Sequence, residues 1–212
     1  YYTEWVLGPT ACVARSFVVA EYDAASAALL ARNPWNPDFA DSVAFLASDR
    51  RPHGFTTDRA EFLGREGDPR APAALARWGL SGAVRPGVDP CAALQVHLDI
   101  GAGAKVEVLF VLGAGRDGAH AQQLLARWRD PRAAAAAWKA LQAHWEHLLG
   151  AVTVRTPEPA LDLMLNRWLL YQTIASRILA RTGLYQSAGG FGFRDQLQDV
   201  MALVHADPGL VR

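Results

Sequence analysis

The sequence predicts a β half followed by an α half, and three observations carry that reading. Residues 94–100 alternate apolar Leu94, Val96, Leu98 and Ile100 with polar Gln95, His97 and Asp99, the period of a half-buried strand. Trp138, Leu141, Trp145 and Leu148 recur at spacings of three and four, the period of a helix. Between these two patterns, near Gly113, short apolar runs and turn signals give way to alanine-rich stretches.

Taken in order, Tyr1-Tyr2-Thr3-Glu4-Trp5 reads as strand, residues 13–22 as a Val- and Phe-rich β segment, and residues 24–32 as a short helix. Residues 43–47 form a short apolar run bounded by polar residues. Gly101-Ala102-Gly103 is a turn signal between residues 94–100 and the returning run 104–112, so these two are expected to pair as an antiparallel hairpin. Asn33-Pro34-Trp35-Asn36-Pro37 and Arg85-Pro86-Gly87 mark long connections. The first half is therefore read as part of a β-sandwich with elaborate loops. Asp130-Pro131 is a helix start, with Asp at the cap and Pro at the first helical position, and Gly150 is the stop. Residues 152–155 are extended, a long helix is expected over 160–181 with Gly183 ending it, and a last helix runs from 193 or 194 to 205 after the Gly-rich loop 186–192.

Composition bounds what such a chain does. Lys and Arg number 21 against 21 Asp and Glu, so net charge supplies no drive toward nucleic acid or anionic lipid. With 51% hydrophobic residues over 212 positions, disorder is excluded. Cys12 and Cys91 are too few for a disulfide framework or a four-thiolate zinc site, and both read as small buried hydrophobes. No apolar run reaches the roughly 18 to 20 residues that span a bilayer, so no membrane segment is expected in the chain. The sequence opens on Tyr1 in the middle of a strand pattern, and is expected to be a piece of a longer protein.

The most informative chemistry lies in Gly192-Phe193-Arg194-Asp195-Gln196-Leu197-Gln198-Asp199. Asp195 and Asp199 are four apart and share a helix face; Arg194 and Gln198, also four apart, flank them. Carboxylates accept hydrogen bonds from sugar hydroxyls while Arg and Gln donate them, so this polar face suits a polyhydroxylated ligand. The same pattern equally describes a solvated helix start, with Asp195 favoured by the helix dipole. Trp35, Trp78, Trp138, Trp145 and Trp168 could stack on sugars, but Trp138, Trp145 and Trp168 sit at helical spacing and are assigned to the core. His144 and His147 lack a third ligand nearby, and no metal is expected.

Asn166-Arg167-Trp168-Leu169-Leu170-Tyr171-Gln172 and the Arg194-Asp195-x-x-Gln198-Asp199 segment resemble the glycoside phosphorylases of glycoside hydrolase family 94. More particularly, Phe62-Leu63-Gly64-Arg65, Asp89-Pro90-Cys91-Ala92-Ala93-Leu94-Gln95 and the run from Asp195 to Leu203 are similar to the C-terminal phosphorylase-like module of cyclic β-1,2-glucan synthases. The resemblance implies the C-terminal part of a β-sandwich (supersandwich) over residues 1–113, a helical linker over 114–156, and the first helices of an (α/α)6 catalytic barrel over 157–212.

It further implies inverting phosphorolysis of β-1,2-glucan, with Arg194, Asp195 and Arg177 at the subsite for the non-reducing sugar and Gln198 and Asp199 in support. No catalytic residue is assigned, because the family's acid belongs to a later Asp-Trp-Asn-Asp-like segment that these residues lack; the piece alone is expected to be inactive. Inorganic phosphate would be the co-substrate, with no cofactor, and β-glucan oligosaccharide the partner. A homodimer or association with the rest of a parent protein would cover the barrel helices, whose Leu165, Trp168 and Leu197 are otherwise exposed. The implied location is cytoplasmic, or the cytoplasmic side of an inner-membrane parent. Two other readings stay open: a cellobiose- or chitobiose-type disaccharide phosphorylase, and a non-catalytic carbohydrate-binding or scaffold protein.

Overall fold

The computed structural model describes residues 1–8, 10–179 and 193–211, and for Phe193, Asp195 and Gln196 only the backbone. Sheets come first and helices follow. The chain forms two compact units, Tyr1–Ala134 and Ala135–Arg212.

The first unit holds two sheets. One has three strands in the order β1 (Tyr2–Glu4), β6 (Pro90–Gln95), β5 (Gly54–Asp58); the other has four, β2 (Val19–Asp23), β3 (Ala28–Arg32), β4 (Val43–Ser48), β7 (Phe110–Gly115). All pairings are antiparallel. Leu29, Ala31, Ala44 and Leu46 from the larger sheet pack with Ala92 and Leu94 of the smaller one and with Trp5, closing the sandwich core. The opposite face of the larger sheet is also buried: Ala28, Leu30, Phe45 and Ala47 pack against Ala121 and Leu125 of helix α3 (Gly118–Trp128). Gly113 lies opposite Phe45 across the β4–β7 ladder, and a Cβ there would come within 2.6 Å of the Phe45 ring. Glycine at this position is the space the ring occupies.

Three sequence expectations fail here. Residues 24–32 form no helix: after a turn with Ala27 at φ 48°, Ala28-Leu29-Leu30-Ala31 become β3, fully covered on both sides. With both faces buried the strand shows no alternation, and its Ala and Leu are good helix formers, so tertiary burial overrode local propensity. Residues 13–22 are only part strand. A short helix α1 (Ala11–Ala14) and a 3-10 turn (Arg15–Phe17) precede β2. The hairpin over 94–112 does not form either. The turn exists, with Ala104 N–H donating to the Gly101 carbonyl, but β6 already has β1 and β5 on its two edges. The returning chain has no free edge there and pairs with β4 in the other sheet.

An ionic cluster ties the smaller sheet to its surroundings. Glu4 accepts from Tyr2 Oη at 2.7 Å and from Arg59 Nε at 2.9 Å, and Arg15 Nη1 donates to Asp89 at 3.1 Å. The Tyr2 hydrogen bond leads the effects that hold the Glu4 carboxyl below its usual value. Helix α2 (Arg59–Leu63) is capped by Asp58, which accepts from Ala60 N–H. Glu61 on that helix anchors the connection that follows: it accepts from Thr56 Oγ1 at 2.6 Å and from the Ser81 amide and hydroxyl, each at 2.7 Å. Burial alone would raise the Glu61 pKa, but these hydrogen bonds and the nearby Arg77 outweigh it and hold the carboxyl low.

The second unit begins within helix α4 (Pro131–Leu149), which starts and stops as the sequence predicts. Its core is Leu148, Ile174 and Leu203, with Trp145, Leu170 and Ile178 packed around them. The single long helix expected over 160–181 is interrupted: α5 (Pro159–Leu163) and α6 (Leu169–Thr173) are joined by a π-helical turn kinked at Asn166 (ψ 109°) and Arg167 (φ 74°), and a second π-helical segment, Ile174–Leu179, follows. Gly183 and the loop 186–192 lie outside the described residues. Helix α7 (Phe193–Met201) ends earlier than 205, passing into tight turns such as Leu203 N–H to the Val200 carbonyl. Trp138 and Trp168 are not core: they are 61% and 48% exposed, whereas Trp145 is half-buried. Leu165 and Leu197 are exposed.

Of the two cysteines expected to be buried, Cys91 is fully buried and Cys12 is exposed. Burial and the surrounding carboxylates push the Cys91 thiol up to about 12 from its ordinary 9.0. A thiol with a raised folded-state pKa contributes stability that is complete below its unfolded value and is lost as pH rises toward 12. Ellman's reagent is therefore expected to titrate Cys12 alone in the native protein at mildly alkaline pH, with Cys91 appearing only on unfolding; two fast thiols would contradict this packing. For Glu61 the sign is opposite. Its stabilisation is full above the unfolded carboxyl value and disappears as pH falls through the lowered folded one. Glu61→Ala should cost about 2–3 kcal/mol at neutral pH by urea unfolding, and the difference from wild type should shrink in acid.

Candidate functional site

The polar segment singled out in the sequence forms α7, and the structure brings one of its candidates, Asp199, into contact with the fifth, Arg177. Arg177, in the π-helical segment Ile174–Leu179, donates from Nε to Asp199 Oδ2 at 2.7 Å. Asp199 is half-buried and Arg177 exposed. A π-helical turn carries an extra residue and shifts the side chains after it, a distortion common at functional sites. Arg194 and Gln198 are both exposed, four residues apart along α7 and so on one side of it. The backbone of Asp195 sits one turn before Asp199, while its side chain lies outside the described residues. The described arrangement is a cation–carboxylate pair joining the segment Ile174–Leu179 to α7, a helix that also carries the exposed Arg194 and Gln198. These groups donate and accept hydrogen bonds in the combination a sugar's hydroxyls require.

Two residues of the Asn166–Gln172 motif, to which the sequence assigns no role, organise the start of this helical region. Asn166 accepts from Val154 N–H at 2.7 Å and donates to the Val154 carbonyl at 2.9 Å, so one side chain satisfies both backbone groups of that residue. Arg167, next to it, pairs with Glu146 of α4. The signal available in the sequence was an Asn-Arg pair inside an apolar helical run, where Asn is a weak helix former. A separate apolar groove of about 270 Å³ runs along the same unit, lined by Leu149, Leu165, Leu170, Met201 and His205 among others. Arg177 and Asp199 are not part of its lining. Among the described residues no group of three or more His, Cys, Asp or Glu could hold a metal ion, and no helix is long and apolar enough to cross a membrane.

Residues 1–131 match the supersandwich domain of glycosyl hydrolase 94, and residues 144–212 match the catalytic domain of the glycosyl hydrolase 94 superfamily. The chain belongs to glycosyl hydrolase family 94. Within that family it is 41% identical over its whole length to the cyclic beta-(1,2)-glucan synthase NdvB of Rhizobium meliloti (strain 1021), of which it covers 8%. It is 28% identical over 84% of its length to the N,N'-diacetylchitobiose phosphorylase of Vibrio proteolyticus, covering 22% of that protein. To the solabiose phosphorylase of Paenibacillus borealis it is 27% identical over 79% of its length, covering 21%. The chain thus spans less than a quarter of each of these relatives. The two sheets fall in the supersandwich match, and α7 with its polar face falls in the family 94 catalytic match.

The Arg177–Asp199 pair is partly solvated, so it should contribute little to stability. Asp199→Asn is expected to change the unfolding free energy by no more than about 1 kcal/mol, measured by urea denaturation. A loss of several kcal/mol would mean the pair is a structural strut and not a ligand-facing group.

Proposed function

We propose that this chain is part of a glycoside phosphorylase module that acts on β-1,2-glucan by inverting phosphorolysis. The observation that supports the linkage is the 41% identity to a cyclic beta-(1,2)-glucan synthase along the entire chain, against 28% and 27% to the disaccharide phosphorylases over shorter stretches. In this reading residues 1–113 are the end of the supersandwich, 114–156 a linker and 157–212 the opening helices of an (α/α)6 barrel. Arg194 and Asp195 hold the non-reducing glucose, Arg177 lies beside them, and Gln198 and Asp199 support them. The Arg177–Asp199 hydrogen bond favours that division, since it fixes the guanidinium against α7.

The chemistry follows from what phosphate is. A carboxylic acid protonates the glycosidic oxygen as the bond to the anomeric carbon breaks, while phosphate attacks that carbon from the opposite face and leaves as a sugar 1-phosphate with inverted configuration. Phosphate is already an anion, so the second carboxylate that activates water in an inverting hydrolase is unnecessary. Neither Asp195 nor Asp199 is the acid in this scheme. That group belongs to a different segment of the parent protein, and the 212 residues alone do not turn over. Inorganic phosphate is the co-substrate and no cofactor takes part.

The test is release of glucose 1-phosphate from β-1,2-gluco-oligosaccharides and phosphate, comparing this chain with a form extended through the remaining family 94 catalytic domain. Activity is expected in the extended form alone, and Arg194→Ala or Asp195→Ala in that form should lower kcat/KM by about 10- to 100-fold through loss of a charge-assisted hydrogen bond. Release from cellobiose or N,N'-diacetylchitobiose instead would move the assignment to a disaccharide phosphorylase. Turnover by the short chain would refute the division of roles.

A further inference from the structure

The first unit carries an aromatic cluster well away in sequence from the polar face of α7. His53 and His97 stack with ring centroids 4.2 Å apart and planes 16° from parallel. Trp78 stands edge-on to both, at 6.0 and 4.6 Å, and is 78% exposed. A tryptophan so exposed leaves a large apolar surface in water, which calls for an explanation.

The loop that carries it is held from every side. The Gln95 side chain, at the end of β6, donates to the Trp78 carbonyl at 2.9 Å and accepts from Leu80 N–H at 3.0 Å. Ser81 is bound twice by Glu61, and Gly82 N–H donates to the Phe55 carbonyl at 2.9 Å. Gly54 of β5 lets the loop approach to backbone contact: a Cβ there would lie 2.9 Å from Leu80 N. His53 is fixed in turn, its N–H donating to the Gln95 carbonyl at 2.7 Å and its ring lying against Gly79, where a Cβ would come within 3.4 Å of Nε2. Elements β5, β6 and α2 therefore anchor the backbone around Trp78 and at His53, and the rings of Trp78, His53 and His97 lie against one another.

We propose that Trp78, His53 and His97 form a binding platform for a pyranose ring of a β-glucan chain, separate from the subsite on α7. The proposal rests on the β-glucan reading above for the identity of the sugar. A pyranose offers an apolar C–H face, which packs on an indole, and a rim of hydroxyls. Neutral imidazoles both donate and accept hydrogen bonds and so suit that rim. Three rings are far too small for a stable protein interface, which buries about 800 Å² on each partner, but they match one or two sugar units. The anchored loop backbone lowers the ordering cost of binding. Trp35, 74% exposed, is the useful contrast: its aromatic neighbour is Phe17, and among the described residues no polar ring stands beside it to meet hydroxyls. A second hold on the glucan would keep a long chain close to the protein between encounters at the other site, by raising its effective concentration.

The platform is tested with the 212-residue chain by ¹H–¹⁵N NMR of the indole N–H groups, Trp78 being assigned by its absence in Trp78→Phe. On addition of β-1,2-linked gluco-oligosaccharides the Trp78 resonance should shift saturably, in the millimolar range, while that of Trp35 stays put. Trp78→Ala should weaken the accompanying response of the His53 and His97 ring protons by about tenfold or more; because the side chain is mostly solvated, the variant should fold as wild type does. Trp35→Ala should leave both unchanged. If no oligosaccharide moves Trp78, or if the histidines respond equally in Trp78→Ala, the platform does not exist. If β-1,4-linked oligosaccharides shift Trp78 and β-1,2-linked ones do not, the platform stands and the β-1,2 reading falls. Glucose 1-phosphate release by the extended form is read separately, so failure of the phosphorylase assignment is distinguishable from failure of the platform.

Discussion

Burial of the larger sheet on both faces is the constraint on which the first unit depends. β3 and β4 meet the smaller sheet on one side and α3 on the other, so nearly every residue of these two strands is removed from water. Strands in this position carry a polar residue only where it finds a partner, as buried Ser48 of β4 does by donating to Asp49, and no large side chain where neighbours come close. Its composition follows: Ala and Leu fill β3, and a single Phe45 in β4 is accommodated by a glycine on the facing strand. With α3 clamped over it, the sheet is a fixed base, and the smaller sheet is laid on that base through Ala92, Leu94 and Trp5. The loops that bear exposed polar and aromatic groups are held to the smaller sheet by Glu61 and Gln95.

The same constraint explains which parts of the fold could be read from the sequence. Strand order was illegible where burial erased the period: β3 looks helical because a two-faced strand carries no alternation. The hairpin over 94–112 failed for a different reason. The turn there is genuine, but the strand stops at Gln95 and leaves Leu98 and Ile100 exposed, and whether two strands pair is decided by which edges remain open, a property of the whole sheet. Helix α4 was read correctly at both ends because its signals are local, with Asp130-Pro131 before it and Gly150 after. The exposure of Trp138 and Trp168 shows the limit of spacing arguments, since period says which residues share a face and not whether anything covers it.

At the candidate site the sequence yielded the helix and its polar residues, and the structure added how two of them are joined. Spacing could relate Arg194 to Gln198 and Asp195 to Asp199, all on one helix. It could not bring Arg177 to Asp199, because that contact crosses between elements 22 positions apart and follows a π-helical distortion with no sequence signature of its own. The family resemblance named Arg177 as a candidate; geometry gave it a partner. The surface around Trp78 was the reverse case. The residue was visible as an aromatic in a loop, yet its two histidine neighbours are 25 and 19 positions away and come together only when β5 and β6 pair.

Asn166 carries a consequence of another kind. Its amide answers both the N–H and the C=O of Val154, standing in for the peptide group of a neighbouring strand. A primary amide is the only side-chain chemistry with that two-way polarity at that length, and glutamine would overshoot by a methylene. Aspartate, its nearest match in shape, would set an acceptor against the Val154 carbonyl and turn attraction into repulsion. The segment before α5 is therefore tied to the helices that follow by a group whose two-way polarity the encoded residue alone supplies, and a single change of one atom's hydrogen-bonding sense would undo it.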